Sequence, residues 1–159
     1  MDRIEALIKE LTLEEKVSII SGSGAWHSTG VDRLSLPRIK MTDGPIGARG
    51  DSASGASAAC FPSASSLSST WDQVSIEEIG KAIGKESKSK DADVLLGPTI
   101  NLHRHPLGGR HFECYSEDPT LTGKLAVSYV KGIQSEGVSA CLKHFVGNDT
   151  EFQRHTVSS

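Results

Sequence analysis

Residues 97–119, GPTINLHRHPLGGRHFECYSEDP, hold the densest collection of groups able to bind or react: three histidines, two arginines, three acids and a Gly-Gly pair. Arg110 directly follows Gly108-Gly109. Paired glycines permit backbone paths and a close ligand approach that a Cβ would block. The guanidinium that follows is a rigid fork of donors suited to a carboxylate or a vicinal diol. Glu113, Glu117 and Asp118 are near enough in sequence to pair with it, so a purely structural ion-pair network competes with a ligand site. His103-x-His105, joined by His111, could suggest a metal. Zinc takes three or four ligands, however, and Pro106 and the two glycines leave the geometry of the rings undetermined. Our reading assigns no metal and no other cofactor.

Two more clusters could contribute. Asp43 stands at the head of an Asp-Gly-Pro turn and could accept hydrogen bonds from ligand hydroxyls. Aspartate in a turn can equally bond its own backbone. Lys143-His144 falls near the end of an apolar run. Adjacent side chains on a strand point to opposite faces, so one of the two is buried or both lie beyond the regular strand. Lysine is seldom fully buried without a partner. A strand end facing a pocket lets both residues bond a polar ligand; a solvated lysine beside a satisfied core histidine is the plainer alternative. No serine or cysteine sits in a nucleophile elbow. Gly44, Gly47 and Gly50 lack the spacing and the following helix of a dinucleotide loop.

The elements that must position these residues follow from periodicity. Ile4, Leu7, Ile8 and Leu11 predict a short amphipathic helix. Thr12 and Glu15 form a capping-box pattern ahead of a second helix with Leu13, Val17 and Ile20 on one side, ended by Ser21-Gly22-Ser23-Gly24. The first strand is predicted over residues 39–42. A flexible Gly/Ala/Ser loop covers 50–59, and a weak strand is expected over 63–69. Ser75 and Glu78 suggest a capping box for a helix whose apolar face is Ile76, Ile79 and Ile83, with Lys81, Lys85, Lys88 and Lys90 on its wet side. A strand is predicted over 94–97. A helix follows over 119–136, with Leu121, Leu125, Tyr129 and Ile133 at four-residue steps and Gly137 as its C-terminal cap. A last strand spans 138–145. Alternating strands and helices favour a parallel sheet with right-handed crossovers. The polar clusters fall just after strands, where parallel α/β folds bind ligands.

The bulk composition narrows the partners. The 159 residues are 36% hydrophobic and 23% charged, with a net charge of -3, ordinary for a globular protein. That balance gives no electrostatic reason to expect nucleic acid or a membrane surface, and no apolar run approaches spanning length. Three widely spaced cysteines, Cys60, Cys114 and Cys141, argue against a disulfide framework. The acidic, amphipathic start has no apolar signal core, so a cytoplasmic location is expected, with secretion left open if the N-terminus is incomplete. Asn148-Asp149-Thr150 is a formal glycosylation sequon.

Four motifs in order carry a family resemblance: Thr42-Asp43-Gly44-Pro45, Arg104-His105-Pro106-Leu107-Gly108-Gly109-Arg110-His111-Phe112-Glu113, Tyr115-Ser116-Glu117-Asp118-Pro119 and Lys143-His144-Phe145. Together they resemble the N-terminal part of glycoside hydrolase family 3, the β-glucosidase type. The likeness covers nearly the whole chain, from Leu11-Thr12-Leu13-Glu14-Glu15-Lys16-Val17 onward. It implies an α/β fold, a partial (β/α)8 TIM-like barrel comprising about the first four strands. It implies that Asp43, Arg110, Lys143 and His144 bind the hydroxyls of the sugar at the cleavage site, with Arg154 a further sugar-binding position. The substrate it implies is a β-glucoside or oligosaccharide.

The family is retaining, with an Asp nucleophile and usually a Glu acid/base, two carboxylates about 5–5.5 Å apart. The resemblance puts the first on a later barrel strand and the second in another domain. No catalytic residue is therefore expected among residues 1–159, which read as the opening part of the barrel. An open sheet edge of this kind is expected to favour self-association. Two rival readings remain: a non-catalytic carbohydrate-binding module, and a metal-dependent barrel hydrolase using His103, His105 and His111.

Overall fold

The computed structural model describes residues 3–50 and 57–156. The centre of the expected flexible loop, residues 51–56, lies outside the described residues. The chain divides into two compact units, Met1–Met41 and Thr42–Ser159.

The first unit begins with α1 (Arg3–Glu10) and α2 (Leu13–Ser21). The predicted capping box forms: Glu15 N donates to Thr12 Oγ1 and Thr12 N donates to Glu15 Oε2. Arg33, in a one-turn 3-10 helix over Asp32–Leu34, also pairs with Glu15. Those hydrogen bonds, from Arg33 first and the Thr12 backbone second, pull the Glu15 carboxyl down to about 2. The periodicity predicts amphipathic helices, yet neither helix contains a buried residue; Leu13 and Ile20 are 72% and 86% exposed. Antiparallel bridges His27–Lys40 and Val31–Leu36 close the rest of the unit.

The second unit is α/β. β1 (Met41–Asp43) leads into it and neighbours β2 (Val94–Leu96), which neighbours β3 (Ser139–Ala140). β2 and β3 run parallel, with Val94 opposite Ser139 and Leu95 opposite Ala140. Between β1 and β2 come α3 (Ala64–Ser68) and α4 (Gln73–Ser89); α5 (Pro119–Ser135) joins β2 to β3. Leu95, Ile76, Ile83, Leu125, Tyr129 and Ile133 form the fully buried centre, each such side chain contributing roughly 1.5–3 kcal/mol.

Several local expectations are corrected. The strand expected over 63–69 is instead the helix Ala64–Ser68: Ala64, Leu67 and Ser68 are its buried positions, a three-and-four spacing that suits a helix face. The sheet therefore has three strands among the described residues rather than four. α4 is capped by Asp72, not Ser75. The Asp72 carboxylate accepts from Val74 N at 2.9 Å and from the Ser75 hydroxyl, so Ser75 sits inside the first turn and its capping box with Glu78 does not form. Lys90 is not on the wet face. It turns inward to donate to the Ala48 carbonyl and meets Glu86, both side chains mostly buried. The predicted strand over 138–145 pairs only at Ser139–Ala140, after which a single parallel bridge joins Thr99 to Lys143. α5 conforms to its pattern, with Asp118 as N-cap, Pro119 in the first turn and Gly137 at φ 81° just past the end.

Candidate binding site at the strand ends

Asp43 ends β1, and Gly44 turns the chain away from it at φ 139°. A Cβ on Gly44 would stand 1.7 Å from the Gly47 carbonyl oxygen, so only glycine closes this turn. The loop beyond is tied back: Arg49 N donates to Asp43 O (2.9 Å) and Gly50 N to Thr42 Oγ1 (2.9 Å). The Asp43 carboxylate does not spend itself on its own backbone, as a simple turn residue would. Lys143 Nζ donates to its Oδ1 at 2.6 Å, and Arg49 Nη1 lies 3.4 Å from its Oδ2. Burial works to raise the carboxyl pKa, but the Lys143 hydrogen bond and charge, helped by Arg49, hold it below the usual aspartate value. At neutral pH Asp43 is an ionised acceptor.

Lys143 and His144 both lie beyond the regular strand, joined by a cis peptide bond. The backbone there is anchored to the stretch after β2. Lys143 N donates to Pro98 O (3.0 Å) and Ile100 N to Lys143 O (2.7 Å). The buried Asn101 amide holds both main-chain groups of His144, accepting from its N at 2.8 Å and donating to its O at 3.2 Å. These anchors place the lysine amine on Asp43 and the histidine ring on Arg110, whose Nη2 is 3.2 Å from His144 Nε2. Arginine only donates, so Nε2 accepts and the ring proton sits on Nδ1. Burial first, then the charges of Arg110 and Lys143, lowers the His144 pKa and keeps the ring neutral.

Arg110 is the centre of a network. Its Nε donates to Glu113 Oε1, and its Nη1 lies 3.9 Å from Glu151 Oε1. The Asn148 amide, oriented so that both ends are satisfied, accepts from Arg110 Nη1 (3.2 Å) and donates to Glu151 Oε1 (3.1 Å). Arg154 meets the other oxygen of Glu151 at 3.1 Å and remains half-exposed. The ion-pair network weighed from the sequence therefore exists, through Glu113. Glu117 is exposed and Asp118 caps α5, so neither joins it.

The histidines of the loop do other work. His103 Nε2 bonds Cys114 O (2.9 Å) and His111 Nε2 bonds Asp149 O (3.3 Å), with the two rings stacked at 4.9 Å. His105 Nδ1 accepts from Leu107 N at 3.1 Å. Among the described residues no three His, Cys, Asp or Glu side chains are grouped to hold a metal ion. Asp149 clamps the loop after β2 through Arg104 Nε (2.6 Å) and Leu102 N (3.3 Å).

The structure thus brings together Asp43, Lys143, His144 and Arg110, and attaches Arg154 to them through Glu151. Sequence reasoning missed Arg49, Asn101, Asn148, Asp149 and Glu151. The last three follow Lys143-His144 within eight positions, a local polar density that was visible; which cation each meets was not. Chemically, the arrangement presents an ionised acceptor beside a lysine, arginines and a neutral imidazole. Such a mixed set of charged donors and acceptors suits a ligand with several hydroxyls.

The described unit is α/β, with its polar residues gathered beyond the strand ends, and comparison with known proteins gives the family. Residues 27–158 match the Glycosyl hydrolase family 3 N terminal domain, and the chain belongs to that family. It is 52% identical over 158 residues to a beta-glucosidase of Rhizobium radiobacter, covering 98% of this chain and 19% of that protein. It is 46% identical to thermostable beta-glucosidase B of Acetivibrio thermocellus, covering 98% of this chain and 22% of that one. The chain spans about a fifth of the length of these curated relatives. Among solved structures, the Kluyveromyces marxianus beta-glucosidase in complex with glucose superimposes with a TM-score of 0.89 at 46% identity, over 95% of this chain and 18% of that one. Beta-glucosidase 3B of Thermotoga neapolitana in complex with alpha-D-glucose gives 0.85 at 40% identity, over 94% and 24%.

Proposed function

We propose that this chain supplies the sugar-hydroxyl-binding part of a retaining β-glucosidase acting on terminal β-D-glucosyl residues, and that its sheet is the opening section of a (β/α)8 barrel. The observation that carries this reading is the pairing of Asp43 with Lys143 across 100 positions of sequence, beside the Arg110–His144 contact. Four residues from three separated segments converge there, and glucose complexes of related structures support a hexose as the ligand. Asp43, Lys143, His144, Arg110 and Arg154 are the binding residues in this reading, and Arg49 joins them through its contact with Asp43. Glu113 and Glu151 are committed to arginines, so neither is assigned as nucleophile or acid/base. Bond cleavage needs two carboxylates about 5–5.5 Å apart; we place that pair in the remaining four-fifths of the relatives' length. The open sheet is expected to self-associate when it stands alone.

The test replaces the corresponding N-terminal segment of the Rhizobium radiobacter enzyme with this chain and measures hydrolysis of an aryl β-glucoside. Turnover should persist. Asp43→Ala should then lower kcat/KM by about ten- to a hundredfold, from the loss of charged hydrogen bonds to sugar hydroxyls. An active hybrid indifferent to Asp43→Ala would remove Asp43 from the site.

A further inference from the structure

We propose that Glu151 is a positioning residue that holds two arginines of the site, Arg110 and Arg154, in their binding orientation; the functional consequence rests on the sugar-binding reading above. Its two carboxylate oxygens go to different cations. Oε2 takes Arg154 Nη1 at 3.1 Å, while Oε1 faces Arg110 Nη1 at 3.9 Å. The second distance is too long for a hydrogen bond, and Asn148 fills the gap: its amide donates to Glu151 Oε1 at 3.1 Å and accepts from Arg110 Nη1 at 3.2 Å. Glu151 is mostly buried, with a side-chain exposure of 20%, whereas Arg154 stands 54% exposed. A long, exposed arginine has many rotamers to lose on binding; a fixed carboxylate removes that freedom beforehand and favours affinity by preorganisation. Glu113 holds the Nε side of Arg110. Glu151 and Asn148 hold Nη1, and Nη2 rests on His144. Every nitrogen of that guanidinium is thereby fixed, and Glu151 extends the same control to Arg154.

Arginine modification by phenylglyoxal, read residue by residue by peptide mass spectrometry in the active hybrid enzyme described above, tests this directly. Arg104 is the internal control, because it is held by Asp149 rather than Glu151. Glu151→Ala should raise the modification rates of Arg110 and Arg154 severalfold and leave Arg104 unchanged, and Glu151→Asp should recover part of the protection. If Arg104 also becomes reactive in the alanine variant, the fold has loosened, and the near-isosteric Glu151→Gln decides by the same comparison. Unchanged rates at both arginines in the alanine and glutamine variants would overturn the inference. Glucose added to the hybrid that carries Glu151 unchanged separates the two ideas. Protection of Arg110 by glucose supports the sugar-binding reading, and its weakening by about tenfold in apparent affinity in Glu151→Ala supports preorganisation. No protection in that hybrid would sink the sugar-binding reading, while the ligand-free rates would still decide the role of Glu151.

Discussion

The α4–α5 pair and the charged cluster beyond the strands are held together by different physics. The helices meet through absence of side chain: a Cβ on Gly80 would lie 2.4 Å from Tyr129 O, and one on Gly132 would lie 2.2 Å from Glu77 O. Backbones approach this closely only where both surfaces are bare, and the flanking Ile76, Ile83, Leu125 and Ile133 then fill the remaining space. The cluster is the reverse. Asp43, Lys143, Arg110, Glu113 and Glu151 are long or charged, mostly but not wholly buried, and held by opposite charge and hydrogen bonds. The two regions are coupled through the loop after Asp43: the Tyr129 hydroxyl donates to Pro45 O at 2.7 Å, immediately beyond the Asp43-Gly44 turn, and Ala48 N donates to Glu86 Oε2 of α4 at 2.8 Å. Shape in the core thus sets the position of a turn whose carboxylate serves the site.

If close approach decides the helix pair, Gly132→Ala should be destabilising even though alanine favours a helix over glycine by about 0.8–1.0 kcal/mol. Overpacking costs about 1–3 kcal/mol, so a net loss of up to about 2 kcal/mol is expected, a fall in Tm of up to roughly 8 °C. A chemical or thermal melt that shows Gly132→Ala more stable than wild type would mean that the helices separate freely and shape is not the constraint.

The charged region should respond less in stability and in a pH-dependent way. Among the described residues, Lys143→Met leaves Asp43 its longer contact to Arg49, and a partly exposed pair of this kind should cost about 1 kcal/mol at pH 7. The Asp43 carboxyl is lowered in the folded state. Its contribution is therefore complete above the unfolded value near 3.9 and is lost as pH falls through the lower folded value. The difference between wild type and Lys143→Met, followed by urea unfolding, should shrink on that acid side. A difference constant down to the acid limit would show that packing of the lysine stem, not the ion pair, is what was removed.

His144 should give the smallest effect. Its folded pKa is depressed by burial and by the neighbouring Arg110 and Lys143 charges. On lowering the pH below the unfolded value near 6.5, the unfolded chain takes up a proton before the folded one does, so stability falls through that window. His144→Gln should flatten the stability profile just below pH 6.5 while leaving the Asp43-linked slope in place. A profile unaltered by the substitution would place the histidine in an environment like water.

Some of this molecule was legible one residue at a time. The capping box at Thr12 and Glu15, the four-residue stripe of α5 and the apolar run of β2 depend on neighbours a few positions apart, and each forms as its spacing implies. The clustering of polar residues after strands was also visible, and the family motifs marked Asp43, Arg110, Lys143, His144 and Arg154 as candidates. Short-range signals failed where the environment outweighed them. Ala64–Ser68 became a helix because burial of Ala64, Leu67 and Ser68 selected helical spacing, and Lys90 left the wet face because Glu86 and the Ala48 carbonyl satisfied its charge inside. Periodicity made α1 and α2 amphipathic, but it cannot say whether their apolar faces are covered, and here Ile4, Ile8, Leu13, Val17 and Ile20 stay exposed. What only the tertiary structure decided is partnership: Lys143 with Asp43, Asn101 with the His144 backbone, Glu151 with two arginines. A charge in a sequence attracts every opposite charge alike. The strand ends and loop anchors bring just a few within hydrogen-bonding distance, and that distance separates an ion pair from a solvated side chain.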